Sequence, residues 1–167
     1  LDEVLARVLE AAGAMRGVDA ALVTVASPTR EKPSVATVGL SAEEAEAHAV
    51  AAPPPAGAGA RSMTISYEYP PSEEPEDDVI RHGVAVPIPG EAGAIGYLTV
   101  FSRSDSASFT DADRRSLEDL AARAGPAVEN ARRFREARQL ADLDALTGLH
   151  NRRYFHETLA REVARAH

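Results

Sequence analysis

Residues 83–101 read GVAVPIPGEAGAIGYLTVF, and this stretch decides the fold. Two runs rich in Val, Ile, Leu and aromatic residues, Gly83 to Pro89 and Ala94 to Phe101, flank Gly90-Glu-Ala-Gly93, which has the composition of a hairpin turn. Pro87 and Pro89 have no amide hydrogen to give to a ladder, so their positions are expected at a sheet edge or a bulge.

Working outward towards the N-terminus, Arg61 to Tyr69 alternates as a third strand, and Ala20 to Ala26 and Ser34 to Leu40 read as a further hairpin turning through Pro28 to Pro33. Ser41 and Glu44 have the spacing of a capping box, which predicts a short helix to about Ala51. Pro53 to Gly59 then reads as a flexible connection. At the start of the chain Val4, Leu5, Val8, Leu9 and Ala12 repeat at helical spacing, with Asp2 and Glu3 at the positive end of the helix dipole and Gly17 as a stop.

Towards the C-terminus, Thr110 and Asp113 cap a long helix through Leu117, Leu120, Ala121, Ala124, Val128, Ala131 and Phe134. Pro126 is expected to interrupt it with a kink near Ala122. The pattern breaks over Leu143 to Leu149, and Tyr154, Phe155, Leu159 and Val163 open a last amphipathic helix. The fold class is therefore α+β, an antiparallel sheet of five or six strands flanked by helices.

The bulk properties bound the function. The 167 residues suffice for one well-cored domain plus extensions. The first residue is Leu1, and both ends run into helical patterns, so the chain reads as a piece of a longer polypeptide. No signal-peptide pattern and no apolar run of roughly 20 residues is present, which predicts a soluble, cytoplasmic piece with no membrane contact. Without cysteine there is no disulfide or thiolate site. A net charge of -8 argues against nucleic acid as a partner. Glu73, Glu74, Glu76, Asp77 and Asp78 crowd around Pro75 as a solvated acidic loop.

Several segments in order, Val86-Pro-Ile-Pro, Gly93-Ala-Ile-Gly-Tyr-Leu-Thr-Val, Phe109-Thr-Asp-Ala-Asp, Leu120-Ala and Ala127-Val-Glu-Asn-Ala131, resemble the pattern of GAF domains, small-molecule sensor modules. The resemblance covers about residues 1–135 and implies a sheet with one face under helices and the other available to a ligand. A second stretch, Asp144-Ala-Leu-Thr-Gly-Leu-His-Asn-Arg-Arg-Tyr-Phe155, resembles the entry segment of GGDEF domains, the bacterial cyclic-di-GMP synthases. That divides the chain into a sensor over 1–135, the end of a signalling helix and a linker over 136–149, and the start of a GGDEF domain over 150–167. The resemblance implies GTP with magnesium or manganese as the reactants and metal of a catalytic domain whose metal-binding aspartate and signature turn lie downstream. Asn151, Arg152 and Arg153 match its opening helix and are assigned a structural or coupling role. The chain itself is expected to have no catalytic residues.

For a sensor ligand the candidates are Arg61, Tyr67 and Tyr97, because aromatic faces and a guanidinium suit planar anionic molecules. The competing reading packs the tyrosines on the sheet and leaves Arg61 in water. The pattern of cyclic-nucleotide-binding GAF domains is not legible, and the ligand is otherwise unassigned. Of the scattered histidines, His48 and His82 are the candidates for an axial haem ligand against a plain surface role, and no zinc set is apparent. Leu117, Ala124, Ala131 and Arg138, with Leu120, Ala127, Phe134 and Ala141, form a heptad seam that predicts a parallel homodimer joined by Leu5 and Leu9 of the first helix.

Overall fold

The computed structural model describes residues 1–27, 33–49, 59–67, 79–104, 109–143, 147 and 149–165, the side chains of Gln139 and Glu157 excepted. Of the segments singled out above, most of the Pro28 turn, the Pro53 connection up to residue 58, the acidic loop, and Asp144, Leu146 and Gly148 lie outside the described residues. The elements in chain order are α1 (Asp2–Gly13), β1 (Ala20–Val25), β2 (Ser34–Val38), α2 (Ala42–His48), β3 (Met63–Ser66), β4 (His82–Gly90), β5 (Gly93–Ser102), α3 (Asp111–Ala141) and α4 (Arg152–Arg165). The chain forms two compact units, Leu1–Glu129 and Asn130–His167.

In the first unit five strands form one antiparallel sheet in the order β2-β1-β5-β4-β3. The β4–β5 hairpin lies inside the sheet, so its residues are covered on both faces, which its nearly unbroken apolar run anticipates. The register shifts between Ile88 and Pro89, and β3 pairs with β4 only as far as Ala85. Both prolines therefore occupy the irregular, one-sided end of β4.

Alternation sorts the sheet into two faces. On the first, Val23, Val25, Val84, Val86, Ile88, Leu98 and Val100 meet Leu5, Val8, Leu9 and Ala12 of α1 and Leu117, Ala121 and Val128 of α3. Each such aliphatic side chain contributes about 1.5–3 kcal/mol by leaving water. Leu5 and Leu9 are thus spent on the core of their own chain, as is Leu117, with Leu120 and Ala124 packed against the same cluster. The leucines of α1 and the first half of the α3 stripe, named above for a dimer seam, are therefore occupied within the chain. The second face is described with the candidate site below.

The local signals behave as local chemistry dictates. The Ser41 hydroxyl accepts from the Glu44 amide at 3.2 Å, and the Glu44 carboxylate accepts from the Ser41 amide at 2.8 Å. Thr110 and Asp113 form the equivalent pair at 3.2 and 2.8 Å. Two helix ends differ from expectation. The first helix closes at Gly13, ahead of a turn that carries Gly17 at φ +78. The short helix stops at His48, because Ala49 is already extended.

The long helix is not interrupted at Pro126; α3 runs on to Ala141. Gly125 and Glu129, on either side of that proline, are buried against the β4–β5 hairpin. That docking holds the segment helical despite the amide that proline removes.

The second unit contains the end of α3, α4 and the connection between them. Asn151 caps α4 by accepting from the Tyr154 amide at 3.0 Å, while its own side-chain amide donates to the Ala141 carbonyl at 2.6 Å. Arg153 donates to the same carbonyl at 3.2 Å and pairs with Asp142 at 3.1 Å. An isolated bridge joins Leu143 to His150, whose ring stacks on Tyr154.

Candidate functional site

The second face of the sheet differs in chemistry from the first. Its strands present Leu22 and Thr24 from β1, Tyr97, Thr99 and Phe101 from β5, Gly83, Ala85 and Pro87 from β4, and Met63 and Ile65 from β3. These faces follow from the cross-strand pairs Leu22 with Thr99, Thr24 with Tyr97, Ala85 with Thr99 and Met63 with Ala85. At one end Ala20, Leu22, Ile80 and Phe101 form a small core, covered by Leu40, Ala45, Ala49 and Tyr67. The Phe101 ring lies over Gly83, which has no side chain to displace it.

Among the described residues, three polar atoms on this face are buried without a hydrogen-bond partner: the hydroxyls of Thr24 and Thr99, and Nδ1 of His48. Because Thr24 stands opposite Tyr97 and Thr99 lies two residues further along β5, the two hydroxyls are diagonal neighbours. His48 closes α2 over the sheet. Its ring meets Tyr67 edge-on at 4.7 Å between centroids and tilts on Phe101 at 5.7 Å. Burial holds the imidazole below its ordinary pKa, opposed by the Glu44 charge and reinforced by Arg103. The side chain is half-buried rather than the surface histidine expected.

A charged network pins α2. Arg103 pairs with Glu44 at 2.8 Å and donates to the Gly39 carbonyl at 3.1 Å. The Asp19 carboxylate accepts from the Arg103 amide at 2.7 Å and from the Ser102 hydroxyl at 3.1 Å. Glu44 is lowered from 4.5 to about 2, mainly by the Arg103 bond and then by the Ser41 amide.

Of the residues named from sequence, Tyr67 and Tyr97 share the second face. Tyr67 belongs to the small core, and Tyr97, 5 % exposed, sits mid-sheet between Thr24 and Pro87. Arg61 is exposed ahead of β3 and joins neither buried cluster. His82, in β4 opposite Ser66 and Ser102, is half-buried. Thr24, Thr99 and the Glu44–Arg103–Asp19 network were missed, because threonine in a strand reads as ordinary β-former and the charges are distant in sequence.

Among the described residues no group of three or more His, Asp or Glu converges as a metal would require. Among the described residues, grooves lie elsewhere, one of about 550 Å³ between α1 and β2, lined by Leu9 and Val35 to Val38, and another of about 320 Å³ in the second unit, beside Phe134 and Arg153. No helix among the described residues is long and apolar enough to cross a membrane.

An antiparallel sheet with one aliphatic face under two helices, and a mixed face under a short capped helix, defines an α+β sheet-and-helix domain. The family model for the GAF domain matches residues 1–129, and the chain belongs to the GAF domain family. No curated protein matches it. Among solved structures it is similar to a domain of a protein assigned as a two-component sensor histidine kinase from Sinorhizobium meliloti 1021. That pair has 18% identity and a TM-score of 0.61, covering 83% of this chain and 96% of the other. The GAF domain of a protein assigned as a sensor histidine kinase from Pseudomonas syringae pv. tomato is similar at 19% identity and TM-score 0.58, with 82% and 83% covered. The second GAF domain of DevS from Mycobacterium smegmatis follows at 19% and 0.56, with 81% and 97% covered.

Proposed function

We propose that this chain is the regulatory input module of a diguanylate cyclase in bacterial cyclic-di-GMP signalling, sensing a small molecule on the second face of the sheet and associating as a homodimer. The observation that carries the sensing reading is His48: an imidazole whose Nδ1 has no partner among the described residues, held by α2 against Tyr67 and Phe101. Burying such an atom costs roughly 1–3 kcal/mol unless a bound group satisfies it. Rings and a few polar atoms on a half-covered sheet suit a small ligand. Two of the solved structures named above come from proteins assigned as sensor histidine kinases, which supports the same reading.

The cyclase assignment rests on the entry-segment resemblance at Asp144 to Phe155 and is not extended to catalysis by this chain. Asn151 and Arg153, which close the end of α3 while starting α4, fit a coupling role there. Dimerisation is assigned to α3 beyond Ala127, where Phe134 is 69% exposed and Ala141 is exposed.

A second reading, a ligand-free dimerising spacer, is favoured by the complete burial of Leu22, Ala85 and Thr99, which leaves mid-sheet closed. Native mass spectrometry of the purified chain separates the two. A co-purified small molecule, lost in His48→Leu, is expected for the sensor; a bare mass with an unchanged melting temperature in that variant supports the spacer. For association, Phe134→Glu is expected to move the chain towards monomer in analytical ultracentrifugation. A monomeric unmodified chain at high micromolar concentration removes the dimer.

A further inference from the structure

We propose that Glu129 is a positioning residue that couples the second face of the sheet to the output end of α3. The proposal rests on the sensing reading above and names the route by which that face would be read out. The strands β4 and β5 place Pro87, Tyr97, Thr99 and Phe101 on the second face, and they join at a turn beside α3. There the Glu129 carboxylate accepts from the Glu91 amide at 2.8 Å, although the two residues are 38 positions apart. Glu129 is 6% exposed. A turn amide turned inward needs an acceptor, and this carboxylate supplies it.

The contact has no slack. A Cβ on Gly90 would lie 2.9 Å from that same carboxylate oxygen and 2.4 Å from the Ile95 side chain. One helical turn earlier, a Cβ on Gly125 would lie 2.5 Å from the Pro89 carbonyl oxygen. The hairpin and α3 are therefore in contact at two levels one turn apart, backbone against backbone at one and carboxylate against amide at the other. Closely packed contacts of this kind pass a displacement on instead of absorbing it in side-chain rotation. Glu129 is also the last residue of the first compact unit, and the helix continues from it to Ala141. A shift of the hairpin is thereby delivered to α3 at the point where the sheet domain ends.

The test needs no ligand. Tyr97→Ala perturbs the second face, and hydrogen–deuterium exchange reads the amides of residues 130–141. In the otherwise unmodified chain the substitution is expected to change their exchange about fivefold, the scale of one net hydrogen bond. In Glu129→Leu, which leaves only the Gly125–Pro89 contact, the same perturbation is expected to change them less than twofold. In Glu129→Gln, which keeps an acceptor oxygen, the response returns. Should Glu129→Leu fail to fold, Glu91→Pro removes the donor instead. An equal response with and without the Glu129 contact, or no response in any background, overturns the coupling. A ligand found by native mass spectrometry without such coupling keeps the sensing reading and removes Glu129 from it. Coupling found with no ligand does the reverse.

Discussion

Leu98 and Thr99 are neighbours in β5, both fully buried, on opposite faces of one sheet. Leu98 enters an unbroken aliphatic layer shared with α1 and α3. Thr99 enters a face that also carries Thr24, Tyr97 and the paired charges around α2, and its hydroxyl has no partner among the described residues. The first face is organised for burial alone. The second gives up some of that stability to keep polar atoms in place, the pattern expected where selection acts on a surface other than for packing.

The largest effect that sharpens the contrast is Leu98→Ala, which leaves a cavity between the sheet and its helices and is expected to cost about 3 kcal/mol in urea unfolding. A loss well under 1 kcal/mol would show that the aliphatic face is not the stabilising one. Gly125→Ala comes next. Alanine is the better helix former, yet here its methyl would press on the Pro89 carbonyl oxygen. A net loss of about 2 kcal/mol is expected from overpacking, visible as a lower denaturation midpoint at constant slope. A gain in stability would mean that the hairpin is free to move off α3.

Thr99→Val runs in the opposite direction. It keeps the shape and removes a hydroxyl that has lost water without gaining a partner, so the variant is expected to be more stable by about 1 kcal/mol. The same change at Thr24 is expected to behave alike. Destabilisation of both would break the comparison, by showing that these hydroxyls already contribute to the fold.

The smallest effect is electrostatic. Glu44 titrates at about 2 in the folded chain against an ordinary 4.5. A depressed carboxylate contributes stability that is fully present above about pH 4.5 and is lost as the pH falls towards 2. Solvent still reaches the Glu44–Arg103 pair, so about 1 kcal/mol is the scale to expect. Glu44→Gln is predicted to lower stability at pH 7 by that amount and to flatten its fall between pH 4.5 and 2. An unchanged acid limb of the stability curve would assign the pinning of α2 to apolar contacts instead.

Features governed by near neighbours were legible in the amino-acid order. The two capping pairs, Ser41 with Glu44 and Thr110 with Asp113, need only three residues of spacing. The strands of the central hairpin announce themselves through β-branched and aromatic runs on either side of a glycine turn. Helix ends were less certain, because Gly13, Gly17 and Ala49 are each compatible with more than one stopping point. Pro126 misled as an interruption for a related reason: its local cost is fixed, but the docking of Gly125 and Glu129 that outweighs it comes from residues 36 to 39 positions away.

The candidate site was legible only in part. Tyr67 and Tyr97 were recognised as strand aromatics, and strand parity together with register places both on the second face. Arg61 sits outside the described strand and stays exposed, which its type alone could not decide. The heptad stripe of α3 is a further case. Leu117, Leu120 and Ala124 have the spacing of a dimer seam, but the same spacing serves a helix packed on its own sheet, and that is where those residues go.

By itself, then, the sequence determined the element types, the caps, the hairpin at residues 83–101 and the α+β class, because propensity, turn chemistry and periodicity act over a few residues. Tertiary structure alone decided which stripe of α1 and α3 is core, that Thr24 and Thr99 become diagonal neighbours without partners, and that Glu129 meets the amide of Glu91. Each of these depends on strand register and helix docking, and those are settled by the joint burial of surfaces far apart in the chain.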